Sequence, residues 1–378
     1  MEEFGQPTEQ QHVPARIKSV TIEGFRSLAN IPQLELPGLA IMIGANGSGK
    51  STLIHFFEML SWMLRSQHLQ EFILRHGGGD DQFFMGARKT PRIHAEISLA
   101  TETGLNDYRF DLTHLSAGDK VLVMNEAYRY SDCRKTGLAR WTELSTVDKE
   151  ASLPAQGNQT ARTICRLLKN CATYQFHDTS VNSAIRLRWD VSDSFCLRSD
   201  GGNLAAVLLE LRENDLKRYK RVVRQIQRVL PTFQDFVLEP VAGKVELRWQ
   251  GRHSDKLFGA HLTSDGSLRL FCLLTLLNLS ASRLPDVMFF DEPELGLHPH
   301  AIILVVEMLK RLSKTRQILV ATQSPYMVDC FELENIIVAE SRQGATSLRN
   351  LPREQYQHWL DDDYLISDIW LKTPTGEQ

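Results

Sequence analysis

Residues Gly44-Ala45-Asn46-Gly47-Ser48-Gly49-Lys50-Ser51-Thr52 stand directly behind the apolar run Leu39 to Ile43 and directly before Leu53, Ile54, Phe56, Phe57, Met59 and Leu60. Strand, glycine-rich turn and apolar helix, in that order, form the setting of a phosphate-binding P-loop. Gly44, Gly47 and Gly49 let the backbone curl so that successive N–H groups face an anion. The following helix adds its positive N-terminal end. Lys50 is placed to reach the β and γ phosphates, and the Ser51 hydroxyl to hold Mg²⁺. A glycine-rich turn alone would carry little weight. With its flanking strand and helix, this one implies a nucleoside triphosphate ligand.

Composition mainly excludes. In 378 residues, 24% charged and 42% hydrophobic side chains are ordinary for a globular chain with room for more than one lobe. A net charge of −3 leaves no overall basic field, so any nucleic-acid surface must be local. The longest apolar stretch, Leu268 to Leu279, contains Arg269, Thr275 and Asn278 and is too short and polar to span a bilayer. Met1 to Gln10 is acidic and lacks the apolar core of a signal peptide, so a cytoplasmic location without a membrane partner is expected. Cys133, Cys165, Cys171, Cys196, Cys272 and Cys330 form no Cys-x-x-Cys pair and fit reduced thiols. His298-Pro-His300 has no supporting ligands nearby in sequence.

Alternating or apolar runs predict strands over 16–22, 34–36 and 39–43, then a meander over 93–99, 107–112 and 121–124. Helical periodicity predicts helices from the P-loop to about Gln67, over 161–170, over 203–213 and over 216–230. In the last, Lys217, Arg221, Arg224 and Arg228 share one face, opposite Tyr219, Val222, Val223, Ile226 and Val229. Such a stripe fits either a solvated face or a surface that neutralises nucleic-acid phosphates. The expected organisation is a flexible tail (1–15), the N-terminal half of an ATPase lobe (16–130), a helical insertion (131–235) and the C-terminal half (236–378).

A second set of motifs lies in that last segment. Val287-Met-Phe-Phe290 reads as a strand buried on both faces, ending in Asp291 and Glu292. Ligands gather at the carboxyl ends of such strands. Asp291 fits a Mg²⁺-holding role, and Glu292, pointing the other way, fits a general base for attacking water. Upstream, Ser264 suits a helix N-cap and Asp265 its first turn. Gly266 costs about 1 kcal/mol inside a helix, which implies a backbone approached closely by an anion.

The P-loop, Thr263-Ser-Asp-Gly-Ser-Leu-Arg269 and Phe290-Asp-Glu-Pro-Glu-Leu-Gly-Leu-His-Pro299 occur in the order and spacing of a known family. Over roughly 16–115 and 236–345 the chain resembles the ABC-type ATPases of the SMC/RecF/OLD group, in particular its compact members without a coiled coil. The resemblance implies an α/β fold: a P-loop NTPase head with a mixed sheet and an antiparallel meander, plus a helical second lobe. It further implies ATP and Mg²⁺ as cofactors and a homodimer closed around ATP. Ser264, Asp265 and Gly266 would face the nucleotide held by the partner's P-loop, and Leu295 to His298 would cross the interface. Phe25-Arg26 would lie against the nucleotide. A further Mg²⁺-coordinating glutamine is Gln175 or Gln82. Gln323 stands where many relatives carry histidine; it can hydrogen-bond a γ-phosphate or water but cannot exchange a proton near neutral pH, which implies slow or partner-dependent hydrolysis.

Two biological readings follow. One is a DNA-engaged ATPase of repair or anti-phage defence. The other is a nucleotide switch controlling a separately encoded effector, a nuclease or toxin, since few residues follow the last expected strand and no appended nuclease is expected. The acidic, aromatic segment Trp359 to Trp370 fits either packing on the head or docking a partner protein.

Overall fold

The computed structural model describes residues 15–66, 68–144, 147–253, 255–351, 353–356 and 364–372. The expected tail lies outside them but for Ala15, as do Trp359 to Asp363 of the acidic segment.

One sheet is fully antiparallel. It is built from β1 (Arg16–Phe25), β2 (Leu28–Glu35), β4 (Arg92–Thr101), β5 (Gly104–Leu115), β6 (Lys120–Asp132) and β7 (Thr142–Leu144), in the order β2-β1-β4-β5-β6-β7. The expected meander is thus widened by β1 and β2. The second sheet is mixed and central. It contains β3 (Leu39–Ile43), β8 (Cys171–Tyr174), β14 (Val287–Asp291), β15 (Gln317–Thr322), β16 (Ile336–Arg342) and β17 (Ala345–Asn350), in the order β17-β16-β3-β15-β14-β8. All its pairings are parallel except that of β17 with β16.

Side-chain alternation explains why the central strands are apolar throughout. Ile41, Ile43, Met288, Phe290, Ile318 and Val320 enter one core, while Ala40, Met42, Val287, Phe289, Leu319 and Ala321 enter another. A strand covered on both faces has no position left for a polar residue before its end. Between the central sheet and the meander lie α1 (Lys50–Ser66), α2 (Leu69–Arg75) and α3 (Gln159–Lys169), where Phe57 stacks on Phe289 at 5.0 Å.

The other core holds α4 (Leu204–Asn214), α5 (Leu216–Val229), α6 (Asp265–Leu276) and α7 (Pro299–Leu312). A small sheet of β10 (Phe233–Phe236), β12 (Arg248–Gly251) and β13 (Leu257–Gly259) joins them, with Phe271 of α6 packed 5.4 Å from Phe233 and 5.1 Å from Phe236. A two-stranded ribbon pairs β9 (Trp189–Asp190) with β11 (Lys244–Val245). The second lobe is therefore not the contiguous insertion 131–235. Within that segment β8 is an edge of the central sheet and α3 packs beside α1, whereas α4 and α5 join α6 and β10-β12-β13. Short α8 (Pro325–Val328) and α9 (Ile366–Lys372) meet through Ser367, whose N–H and hydroxyl both donate to Asp329 at 2.8 Å. No helix among the described residues is long and apolar enough to cross a membrane, and all six cysteines are free.

Gln317, 1% exposed at the start of β15, fastens the two sheets. Its Oε1 accepts from Ile17 N–H at 2.8 Å, and its Nε2 donates to the Ile17 and Leu36 carbonyls at 2.8 and 3.2 Å. Gln317→Leu keeps the volume but strands buried backbone polar groups, so unfolding in urea should show a loss of about 2–4 kcal/mol. A loss below about 0.5 kcal/mol would show that this corner rewets.

Candidate nucleotide site

The P-loop leaves β3 and enters α1 at the carboxyl ends of the parallel strands. Gly49 adopts φ +95°, and a Cβ there would lie 2.0 Å from Thr346 Oγ1 of β17. That hydroxyl donates to Ser27 Oγ at 2.8 Å, and Ser27 in turn donates to Thr52 Oγ1 at 3.1 Å. Ser27 and Thr346 thus brace the loop, and only a cross-sheet contact identifies them. Lys50 is buried, its Nζ donating to the Gly44 and Ala45 carbonyls at 2.7 and 3.0 Å. Burial lowers its pKa from the ordinary lysine value, opposed by the charges of Glu292, Asp291 and Glu294.

Asp291 ends β14 and faces α1. Its Oδ2 accepts from Ser51 Oγ at 3.0 Å and from Gln175 Nε2 at 3.3 Å. Burial raises its carboxyl above the usual aspartate value, and the Ser51 bond opposes the shift. Gln175 rather than Gln82 comes to this corner, because β8 pairs with β14 so that Tyr174 faces Phe290 and the next residues face each other. Gln82 is spent on Arg26. A hydroxyl, a carboxylate and an amide form a hard oxygen set that fits Mg²⁺, which prefers few protein oxygens and several waters. No group of three His, Cys, Asp or Glu side chains able to hold a metal occurs among the described residues.

Glu292 turns away from Asp291 with φ +42°, a left-handed conformation that is strained for a glutamate. Its carboxylate accepts from Gln323 Nε2, which also donates to Asn46 Oδ1 at 2.6 Å. Asn46 of the P-loop, Glu292 and Gln323 are therefore one connected group. Behind them lies Glu294, which the sequence motif does not single out. Its carboxylate accepts from Thr322 Oγ1, while Oε2 is sealed from solvent without a partner among the described residues.

At φ +49° the Arg26 guanidinium turns to Gln82 Oε1 (2.9 and 3.1 Å) and His55 Nδ1 (3.1 Å), and no hydrogen bond joins it to 44–52. Phe25 is fully buried against Phe56. At the signature, Ser264 Oγ caps α6, accepting from Ser267 N–H at 3.3 Å, and Asp265 pairs with Arg186 at 3.0 Å. Both are exposed, and neither bonds to this chain's own P-loop. Gly266 has a local reason that corrects the anion argument: a Cβ there would lie 2.2 Å from the Gly296 carbonyl. Arg269, three residues on, donates to the Phe176, His177 and Leu295 carbonyls, each at 3.0 Å.

A mixed parallel sheet with a P-loop, a paired Asp-Glu strand end and a capped signature helix defines an ABC-type ATPase head. Comparison with known proteins points the same way. Residues 19–184 match a family model described as an AAA domain, and residues 183–329 one described as an AAA domain, putative AbiEii toxin, Type IV TA system. The chromosome partition protein Smc of Desulfitobacterium hafniense is 38% identical over 119 residues, covering 31% of this chain and 9% of that protein. Smc of Mycobacterium tuberculosis is 31% identical over 102 residues, covering 26% and 8%; the chain thus spans under a tenth of these curated relatives. Among solved structures, an Smc head bound to the C-terminal winged-helix domain of ScpA superposes with TM-score 0.57 at 15% identity, covering 90% of this chain and 99% of the other. A Pyrococcus furiosus Smc head bound to the C-terminal domain of ScpA gives 0.56 at 14%, covering 92% and 99%. The two AAA-domain matches, the Smc relatives and the Smc head fold together support an SMC- and RecF-like ABC-type ATPase.

Burial raises the Glu294 carboxyl above its ordinary value of 4.5, with the Thr322 hydrogen bond opposing and Glu292 adding to the rise. A carboxyl with a raised folded pKa keeps its proton longer when folded, so stability falls as pH rises from about 4.5 through the raised value. Glu294→Gln retains a partner for Thr322 and removes the titration. Urea unfolding across this window should therefore show a shallower decline than in the parent, and superimposable pH curves would mean that the carboxyl is solvated.

Proposed function

We propose that this chain binds ATP with Mg²⁺ in the cytoplasm, closes as a homodimer around two nucleotides and hydrolyses them. The observation that carries this reading is the gathering at one end of the central sheet of Lys50 on the P-loop carbonyls, the bonded set Ser51, Asp291 and Gln175, and the bonded set Glu292, Gln323 and Asn46. The backbone N–H groups of 44–52 and the Lys50 ammonium bind and orient the β and γ phosphates. Ser51, Asp291 and Gln175 would hold Mg²⁺, which when bound supplies positive charge to the phosphate oxygens. Glu292 orients a water and accepts its proton at the carboxylate as the γ-phosphoryl group is attacked. Gln323 holds Glu292 in place and donates a hydrogen bond without taking a proton, which favours slow turnover. Ser264, exposed, and Gly266, half-buried, neither bonded to the chain's own loop, would complete the partner's site.

Glu292→Gln should lower ATP turnover by about 10²-fold or more while ATP still binds, and mass measurement in ATP should find a dimer. Turnover at the parent rate would remove Glu292 from its role, and a monomer at saturating ATP would remove the sandwich.

DNA is the proposed polymer on which the ATPase acts. Lys217, Lys220, Arg221, Arg224 and Arg228 of α5 are exposed and form no ion pair among the described residues, and the helix carries no acid. Such a row neutralises backbone phosphates without reading sequence. Duplex DNA should stimulate turnover, and the plot of log affinity against log salt should lose about 2 units of slope in the Arg221→Gln/Arg224→Gln double variant. An unchanged slope, or no stimulation by DNA at all, would refute this role for α5. A second reading, control of a separate effector protein, is favoured by the Smc heads solved with ScpA domains, whereas the docking of α9 through Asp329 spends that part of the acidic segment on the head itself.

A further inference from the structure

We propose that the cleft where α3 crosses the β4–β5 end of the meander is a second anion site, taking a phosphate group, separate from the P-loop and independent of the hydrolysis reading. The cleft encloses about 520 Å³ and is lined by Arg162, Arg166, Thr160, Thr163, Tyr130 and Asn106, among others, without a carboxylate among its lining residues. That is within the size range of small-ligand pockets.

Asn106 carries the inference. Along β5 the core-facing side chains Tyr108, Phe110 and Leu112 are fully buried. Alternation puts Asn106 next in that series. It is only 4% exposed, yet its amide makes no hydrogen bond among the described residues and opens into the cleft. Buried polar groups are nearly always paired, so an amide left facing a cavity points to a ligand. Its neighbour Asp107 does not compete, since it faces the other side of the sheet, held by Ser98 and Arg129 at 2.6 Å each.

The cations supply the ligand class. Arg162 and Arg166 stand one turn apart on α3, and neither guanidinium has a hydrogen bond or ion pair among the described residues. Two forks about one helical turn apart suit the oxygens of a phosphate. Thr160 and Thr163 add hydroxyl donors from the first turns of the same helix. Glu102, in the turn between Thr101 and Thr103, is not among the lining residues. A free phosphate ester and the phosphate of a nucleic-acid end share this chemistry.

Phosphate also binds P-loops, so the site is read in a full-length Lys50→Ala background by calorimetric titration at low ionic strength. The probes are inorganic phosphate and a thymidine decamer with or without a 5′-phosphate. One saturable site per chain is expected to persist in Lys50→Ala, weaken at least tenfold in Arg162→Ala/Arg166→Ala, and weaken several-fold in Asn106→Leu without loss of thermal stability. Tighter binding of the 5′-phosphorylated decamer than of either other probe assigns the source to a nucleic-acid end, and equal binding of inorganic phosphate assigns it to a small ester; both support the site. No saturable binding of any probe in the Lys50→Ala protein, or binding untouched by the arginine and Asn106 substitutions, overturns it. Failure of ATP turnover in the parent leaves this result unaffected, since neither arginine contacts the P-loop.

Discussion

The strand that ends at Asp291 sets the terms for the rest of the molecule. Val287 to Phe290 are wholly buried, alternately in two cores, so the first position free to carry charge is the one at which the sheet stops. Burial holds that position rigid, and a rigid carboxylate beside the P-loop costs little reorganisation when charge arrives. The same burial raises its pKa, a direction that a divalent cation reverses by favouring the ionised form. An open strand end would give a freer carboxylate and a weaker cation site. Precision at Asp291 is thus a product of Phe289 and Phe290 being fixed, and the stacking of Phe57 on Phe289 ties it to the P-loop helix itself.

What the sequence discloses and what it withholds follow one physical division. The P-loop and the Asp291-Glu292 pair are local: strand, turn and helix follow one another without interruption over 39–66, and their periodicities announce them. Gln175 against Gln82 was undecidable in one dimension, because the answer is a register. β8 pairs in parallel with β14, Tyr174 opposite Phe290, and only that pairing brings Gln175 to Asp291. Glu294 is hidden for the same reason: its partner Thr322 closes β15, the strand paired with β14. The lobe boundary is withheld as well. A polar, loop-rich stretch reads as an insertion, but the short β8 inside it has no alternation long enough to declare that it belongs to the central sheet.

Glycine arguments show a further limit. Gly266 and the P-loop glycines look alike in sequence, each a glycine beside an expected phosphate. In three dimensions Gly49 yields to a side chain, Thr346, and Gly266 yields to a backbone carbonyl, that of Gly296. The second contact presses the signature helix against the loop that follows Asp291. Its function can still include an approach by the partner's nucleotide, but the missing side chain does not require one.

The same contact is reinforced by Arg269. One planar guanidinium donates to Phe176 and His177, just past Gln175, and to Leu295, just past Glu294. Because the donors of a guanidinium are fixed relative to one another, the carbonyls it holds cannot shift independently while the three bonds last. The segment bearing the Gln175 amide, the loop leaving the Asp-Glu strand end and the first turns of α6 are therefore held together by one side chain. Arg269 thereby ties the Gln175 segment and the 292–296 loop to the helix whose exposed end Ser264 caps.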